Sequence, residues 1–287
     1  MPEFDPRALE VVERLRRAGF RTVLVGGCVR DSLLSVPPHD YDAATAALPG
    51  QVLEVCSDLR CVETGIAHGT VTVLTEGGPV EVTTFRVEGG YSDHRRPDGV
   101  RFVADLEEDL ARRDFTINAM AWEPEGVADP FGGRGDLEGR LVRCVGDPDR
   151  RFSEDALRPL RALRLAAQLD FSLEERTAAA LRRHIPELRY VAWERITGEF
   201  LRLLCAPAAA RVLLEFPQAV AQILPEMAAT VGFDQRNPHH CYDVYTHSVK
   251  TLANVPPEPV LRLAALLHDV GKPPSFTLDE STGKAEI

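Results

Sequence analysis

The sequence predicts an α+β protein, a head of mixed sheet and helix followed by an all-helical remainder. Two observations carry that division. In the first part, short alternating runs such as Thr70-Val71-Thr72-Val73-Leu74 and Val80-Glu81-Val82-Thr83-Thr84 are bounded by glycine-rich turns, the pattern of half-buried strands. From Asp149 onward such runs stop and helical spacing of apolar residues dominates. The change follows the turn-rich Ala128-Asp129-Pro130-Phe131-Gly132-Gly133. The expected domains are a head over 1–145, a neck over 146–205 and a body over 206–287.

At 287 residues the chain can hold more than one domain, and 44% apolar with 27% charged residues is a globular composition. No apolar run reaches the roughly 18 residues of a membrane span. Residues 1–20 are a mixed-charge amphipathic stretch rather than a secretory signal, so no membrane association and a cytoplasmic location are expected. A net charge of −11 excludes a protein that coats nucleic acid indiscriminately but leaves room for a local basic track. Of the 33 cationic residues only Lys250, Lys272 and Lys284 are lysine. Guanidinium forks suit phosphate, although for most of these arginines a GC-rich genome is the favoured explanation. The six cysteines, at 28, 56, 61, 144, 205 and 241, form no Cys-x-x-Cys pair and read as reduced thiols.

Taken in order, Asp5-Pro6 is an N-cap and first helical position, and Leu9, Val12 and Leu15 form a stripe ending at Ala18-Gly19. A strand over Arg21 to Val25 runs into a diglycine turn, a short helix, a loop and a second strand reaching Thr45. Ala44 to Asp58 suggests a loop and short helix, and Val62 to Gly69 a turn. Strands 70–74 and 80–86 flank a hairpin turn at Glu76-Gly77-Gly78-Pro79. Residues 87–104 are a long polar irregular stretch, the mark of a functional lid or an insert.

The chemistry concentrates in three places. Asp40 and Asp42 are two apart on an extended segment and share a face, with Tyr41 on the other, and paired hard oxygen ligands suit Mg²⁺. Just upstream, Gly26 and Gly27 lack the Cβ atoms that would keep backbone N–H groups away from a triphosphate. Each feature alone is equally an ordinary turn or a loop-edge pair. Glu81 can stand in the sheet beside the aspartates as a third catalytic acid, or simply face solvent. In the second place, Asp114 and Asn118 lie four apart, on one face if the segment is a helix, and both can bond a ribose hydroxyl. In the third, Ser153 starts a helix that Pro159 bends, with Asp155, Arg158, Arg161 and Arg164 in a single row. Most such rows are solvated salt-bridged faces.

Read together, these strings resemble one family. Gly26-Gly27-Cys28-Val29-Arg30-Asp31 followed by Asp40-Tyr41-Asp42-Ala43-Ala44-Thr45, then Arg112 to Met120, Glu154-Asp155-x-x-Arg158 and Val191 to Phe200, resemble the ordered motifs of the class II tRNA nucleotidyltransferases and bacterial poly(A) polymerases. This family is a branch of the DNA polymerase beta type nucleotidyltransferase superfamily. The resemblance spans residues 20 to about 200. It implies a polymerase-beta-like head, Mg²⁺ on Asp40 and Asp42, and a triphosphate held by Gly26, Gly27 and Arg30, with Arg161 and Arg164 also meeting phosphate. The plainer role of Arg30 is an ion pair with a nearby carboxylate. Arg113, Asp114 and Asn118 are implied to bind ribose, and Glu154, Asp155 and Arg158 to select the base, with Glu154 orienting Arg158. The 191–200 motif is implied to support that helix without a catalytic role. Residues 87–104 correspond to a flexible loop that CC-only members largely lack.

The base-selecting role has a chemical logic. Cytosine and adenine each present an amino donor beside a ring-nitrogen acceptor, so Asp155 can accept while Arg158 donates. Uracil and guanine reverse the pattern and leave two buried mismatches of roughly 1–3 kcal/mol each. The expected function is template-independent addition of CMP and AMP to the 3′ end of tRNA from CTP and ATP, with the helical tail on the acceptor arm. A poly(A) polymerase shares the motifs. Near the end, His239, His240, His247 and His268-Asp269 resemble the start of an HD-type phosphohydrolase domain, a more distant alternative that needs a further downstream aspartate.

Overall fold

The computed structural model describes residues 3–89, 99–234, 241–278 and 285–286, so the Gly90 to Asp98 part of the polar loop, together with His239 and His240, lies outside the described residues. The chain forms two compact units, residues 1–154 and 155–287.

The first unit opens with α1 (Pro6–Arg17), capped by Asp5, whose carboxylate accepts from the Arg7 N–H. Ala8, Val11, Val12 and Leu15 bury its inner stripe, and Arg14, Arg16 and Arg17 complement the dipole in its last turn. The strands β1 (Thr22–Val25) and β2 (Tyr41–Thr45) flank α2 (Gly27–Leu33) and pair antiparallel, with Val25 opposite Asp42. After α3 (Pro49–Val55) come β3 (Arg60–Gly65), β4 (Thr70–Thr75) and β5 (Gly78–Thr84). The first half of the turn expected over Val62 to Gly69 is instead strand, followed by a single 3-10 turn at Ile66–His68. β3 is a bulged edge strand, and an edge has one partner to satisfy, which is why its residues do not alternate cleanly.

Further along are β6 (Arg86–Glu88), β7 (Val100–Phe102), α4 (Leu106–Ala111), β8 (Ala121–Glu123) and β9 (Gly126–Ala128). Then follow α5 (Gly133–Glu138), β10 (Leu141–Val142) and α6 (Pro148–Glu154). The main sheet has the order β3-β4-β5-β2-β1-β8-β9, and β2 runs parallel to β5. All four residues of the central β1 are buried, as a strand covered on both faces requires. Phe85 fills the core beneath β1 and β2 with Val23, Val25, Ala44, Leu106 and Leu110.

The second unit is helical apart from the two-residue strands β11 (Ser172–Leu173), β12 (Thr277–Leu278) and β13 (Ala285–Glu286). Its helices are α7 (Arg158–Leu169), α8 (Glu175–His184), α9 (Trp193–Leu204), α10 (Ala209–Glu215), α11 (Pro217–Ile223), α12 (Val244–Ala253), α13 (Pro259–Leu267) and the short α14 (Lys272–Ser275). The single bent helix expected from Ser153 is two helices. Ser153 sits inside α6, where its hydroxyl donates to the Arg150 carbonyl, and α7 begins afresh at Arg158. Pro159 falls in the first turn of α7, where its missing N–H costs nothing, so it starts a helix rather than kinking one. No helix of the described residues is long and apolar enough to cross a membrane.

Phe85→Ala should lower the unfolding free energy of the first unit by about 3–5 kcal/mol through the cavity it leaves, read from the midpoint of a urea transition.

Candidate active site

The turn between β1 and α2 is built by Gly26, whose φ of 77° and ψ of −138° suit a residue without a side chain. A Cβ there would stand 3.5 Å from Asp42 Oδ2 and 3.4 Å from Arg113 Nη1, so the glycine backbone lies against both groups. A Cβ on Gly27 would likewise reach Arg30 Nη2 at 3.5 Å. Arg30 contacts Asp31 Oδ1 through Nε at 2.8 Å and Nη2 at 2.6 Å, which is the ion pair expected as its plainer role. Its Nη1 also donates to Asn118 Oδ1 at 2.7 Å, so the expected triphosphate and ribose groups adjoin. Cys28 donates to the Val25 carbonyl, and burial pushes its thiol up to about 11, keeping it neutral behind the turn.

Asp42 is half-buried and Asp40 exposed. Tyr41 between them turns the other way, its hydroxyl accepting from the Asp5 N–H at 3.0 Å, so the alternation expected of the pair is present. Glu81 is the register partner of Asp42 across the parallel β2–β5 ladder and therefore shares its face. Its side chain is exposed, and Asp40, Asp42 and Glu81 do not form a set of carboxylates within 4.8 Å of one another.

Asp114 and Asn118 do meet, Asn118 Nδ2 donating to Asp114 Oδ1 at 3.4 Å, but not on an α-helix as expected. Phe115 bridges Cys144, which holds the backbone extended, and only Thr116–Asn118 turns as a 3-10 helix. That turn is locked from outside. The Thr116 hydroxyl donates to Asp136 Oδ2 at 2.6 Å, and α5 packs so closely that a Cβ at Gly133 would collide with the Thr116 carbonyl.

Sequence reasoning passed over Asp109. Its carboxylate is fully buried, 2.8 Å from Arg112 and 3.2 Å from Arg113, and accepts from the Arg86 N–H. Burial alone would raise its pKa, but the two guanidiniums outweigh it and hold the carboxyl below its ordinary value. The readable signal was the i, i+4 spacing of Asp109 and Arg113, which orients an arginine expected at the ribose.

Of the expected base-selecting residues, Glu154 ends the first unit, paired with Arg151 at 2.8 Å and Arg150 at 3.2 Å. In the second unit Asp155 precedes α7. Its Oδ1 accepts from the Leu157 N–H at 3.1 Å and its Oδ2 from Arg195 at 2.8 Å, while Arg158 is buried in the first turn. Arg164, expected at phosphate, contacts Glu199 at 2.5 Å and donates to Gln168 at 2.6 Å. Arg161 is half-buried on the same helix. Arg195 and Glu199 were read only as part of a supporting helix. Their i, i+4 spacing puts both on the side of α9 that grips Asp155 and Arg164.

Elsewhere in the second unit, His247 Nε2, His268 Nε2 and Asp269 form the only group of three His, Cys, Asp or Glu ligand atoms within 4.8 Å among the described residues. Asp269 Oδ2 is 3.3 Å from His268, 3.7 Å from His247 and 2.8 Å from Lys272 Nζ.

Residues 22–143 match the poly A polymerase head domain, and residues 170–230 the probable RNA and SrmB-binding site of polymerase A. Over 207 residues the chain is 51% identical to the CCA-adding enzyme of Limosilactobacillus fermentum, covering 72% of this chain and 51% of that one. The chain belongs to the class II tRNA nucleotidyltransferase and bacterial poly(A) polymerase family. Another family member, the CCA-adding enzyme of Geobacillus thermodenitrificans, is 49% identical over 213 residues, 74% of this chain and 52% of that one. The Bacillus stearothermophilus CCA-adding enzyme in complex with CTP superposes with a TM-score of 0.72 at 37% identity, over 93% of this chain and 62% of that one. A tRNA nucleotidyltransferase complexed with a primer tRNA and an incoming ATP analog gives 0.66 at 25% identity, over 90% and 75%. The chain spans about half the length of the curated family members it matches.

Asp109→Asn should destabilise the first unit by about 3 kcal/mol at pH 7, because it removes the buried counter-charge of two half-buried guanidiniums. The native pKa lies below the ordinary 3.8, so this contribution is complete above that value and is lost as pH falls through the lower, folded one. Urea titrations at pH 7 and pH 3 check it, the difference between wild type and variant shrinking at the lower pH.

Proposed function

We propose that the chain is a metal-dependent nucleotidyltransferase that adds CMP and AMP to the 3′ end of tRNA without a template. The observation that supports this reading most is the linkage of Gly26, Gly27, Arg30, Asp42, Arg113, Asp114 and Asn118 in one patch of the first unit. In this reading the N–H groups of Gly26 and Gly27 and the Arg30 guanidinium hold the triphosphate. Asp114, Asn118 and Arg113 meet the ribose, where a 2′-hydroxyl satisfies polar groups that a deoxyribose leaves unpaired. The primer 3′-oxygen loses its proton and bonds to the α-phosphorus as the bond to the bridging oxygen breaks and pyrophosphate leaves. Asp40 and Asp42 offer only oxygen donors and so fit Mg²⁺, which when bound polarises phosphate oxygens and acidifies a hydroxyl. The base is chosen by Asp155 and Arg158, with Arg195 holding the aspartate. The partners are CTP, ATP and the acceptor arm of tRNA, in the cytoplasm.

The head-domain match to poly A polymerase supports a second reading, long adenosine tails on any RNA. Purified protein offered a tRNA ending at the discriminator base, a tRNA ending in CC, and an unrelated oligonucleotide should add two C and one A to the first, one A to the second, and nothing to the third. Long tails on all three would replace this reading with the second, and addition to the CC-ended tRNA alone would restrict it to A-addition.

Asp42→Ala should cut incorporation roughly a thousandfold while tRNA binding in a filter assay is retained. Normal turnover in that variant would sink the mechanism. Asp155→Ala and Arg158→Ala should each relax discrimination against UTP and GTP by roughly five- to a hundredfold, measured as ratios of kcat/KM.

A further inference from the structure

Among the described residues, the two most exposed aromatic side chains are three positions apart, Tyr190 at 54% and Trp193 at 61%. Neither ring has been given a role above, although Trp193 falls within the 191–200 motif. Tyr190 ends the 3-10 helix Ile185–Tyr190, and Trp193 is the first residue of α9. Between and beside them Leu188, Val191 and Ile196 are buried, so both rings are carried by anchored backbone rather than by a mobile tip. Arg189 lies over the Tyr190 ring at 4.7 Å and donates from Nη2 to its hydroxyl at 2.7 Å, which holds a cation at the ring while the arginine remains exposed.

We propose that Tyr190, Trp193 and Arg189 form a stacking platform for unpaired nucleotides of the RNA strand. This deepens the proposed function and rests on its RNA-substrate reading. Four observations favour RNA as the occupant. Exposed π-faces with an adjoining guanidinium are what stacked bases and their phosphates require, and no sequence readout is needed. The surroundings do not suit an apolar protein interface, since Ala192, Glu194, Thr197 and Gly198 are exposed and only the two rings are large. One nearby acid, Glu187, is taken up by His184 at 3.0 Å, although Glu194 remains exposed. Both rings also fall inside the 170–230 segment that matches the probable RNA and SrmB-binding site. A duplex buries its base faces, so the strand that fits is single.

The chain contains two tryptophans, Trp122 and Trp193. Trp122 packs on Phe4 at 5.1 Å, so Trp122→Phe leaves Trp193 as the sole tryptophan reporter. Titration with a ten-nucleotide single-stranded RNA should quench Trp193, and the same RNA in a blunt duplex should not. Trp193→Ala should weaken single-strand binding about fivefold or more, and Trp193→Phe, which keeps a ring, should stay within about twofold of the parent. Absence of quenching, or equal affinities of the Ala and Phe variants, overturns the proposal. So does quenching that appears only with rising protein concentration and a dimer mass in sedimentation, which would assign the patch to a second copy of the chain. If Trp122→Phe does not fold, the Ala and Phe comparison in the parent protein decides alone. Nucleotide incorporation measured in parallel separates the two readings. Quenching without incorporation refutes the proposed activity and keeps the platform; incorporation without quenching does the reverse.

Discussion

The antiparallel register of β1 on β2 is the constraint on which the head depends. Val25 is the last residue of β1 and stands opposite Asp42, so the chain must turn immediately beside the carboxylate, and Gly26 makes that turn. A slip of one residue would turn Asp42 to the opposite face of the sheet. The register is pinned at its other end by the buried hydroxyl pair Thr22 and Thr45, 2.7 Å apart. Between the two ends lie Val23, Leu24, Ala43 and Ala44, all buried. The glycine turn and the aspartate are therefore fixed relative to each other by strand pairing and packing.

Half-buried ion pairs do the finer aiming, and they recur in both units, with Asp109 alone fully buried. Asp109 holds Arg112 and Arg113 in the first; Arg195 holds Asp155, and Glu199 holds Arg164, in the second. Such pairs add little net stability, because desolvating two charges offsets most of their attraction. What they do supply is orientation, since a guanidinium fixed by one carboxylate keeps a defined direction for its remaining donors. Arg113 shows this: Asp109 holds its Nη2 at 3.2 Å, while its Nη1 lies 3.4 Å from where a Cβ on Gly26 would stand, a point itself 3.5 Å from Asp42 Oδ2.

Legibility in the sequence followed the range of the interaction responsible. α1, its cap, β4, β5 and the glycine turn were readable because each is set by residues within a few positions. The Asp42 and Glu81 register was reachable as well, since the hairpin turn before β5 fixes the phase of that strand. The Asp114 to Asn118 segment, where a helix was the conformation considered, is shaped instead by the Phe115 bridge to Cys144 and by Asp136, partners about twenty or more residues away. The supporting charges escaped for the same reason. Arg195 and Glu199 look like an ordinary solvated helix face until α9 is laid against the residues forty and thirty-five positions earlier that they grip.

Pro159 joins these points. A proline in the middle of a helix would have carried Asp155 and Arg158 along one continuous face, with the aspartate free to bond its own helix. At the first turn of α7 it instead forces a break, and Asp155 becomes the residue over which the new helix starts, its carbonyl accepting from Arg158 N at 2.9 Å and its Oδ1 from Leu157 N. Its other oxygen is held by Arg195. A carboxylate engaged on both oxygens has few directions left in which to accept. In the proposed reading a base amino group would then be met from one side only, a restriction that a freely rotating carboxylate would not impose.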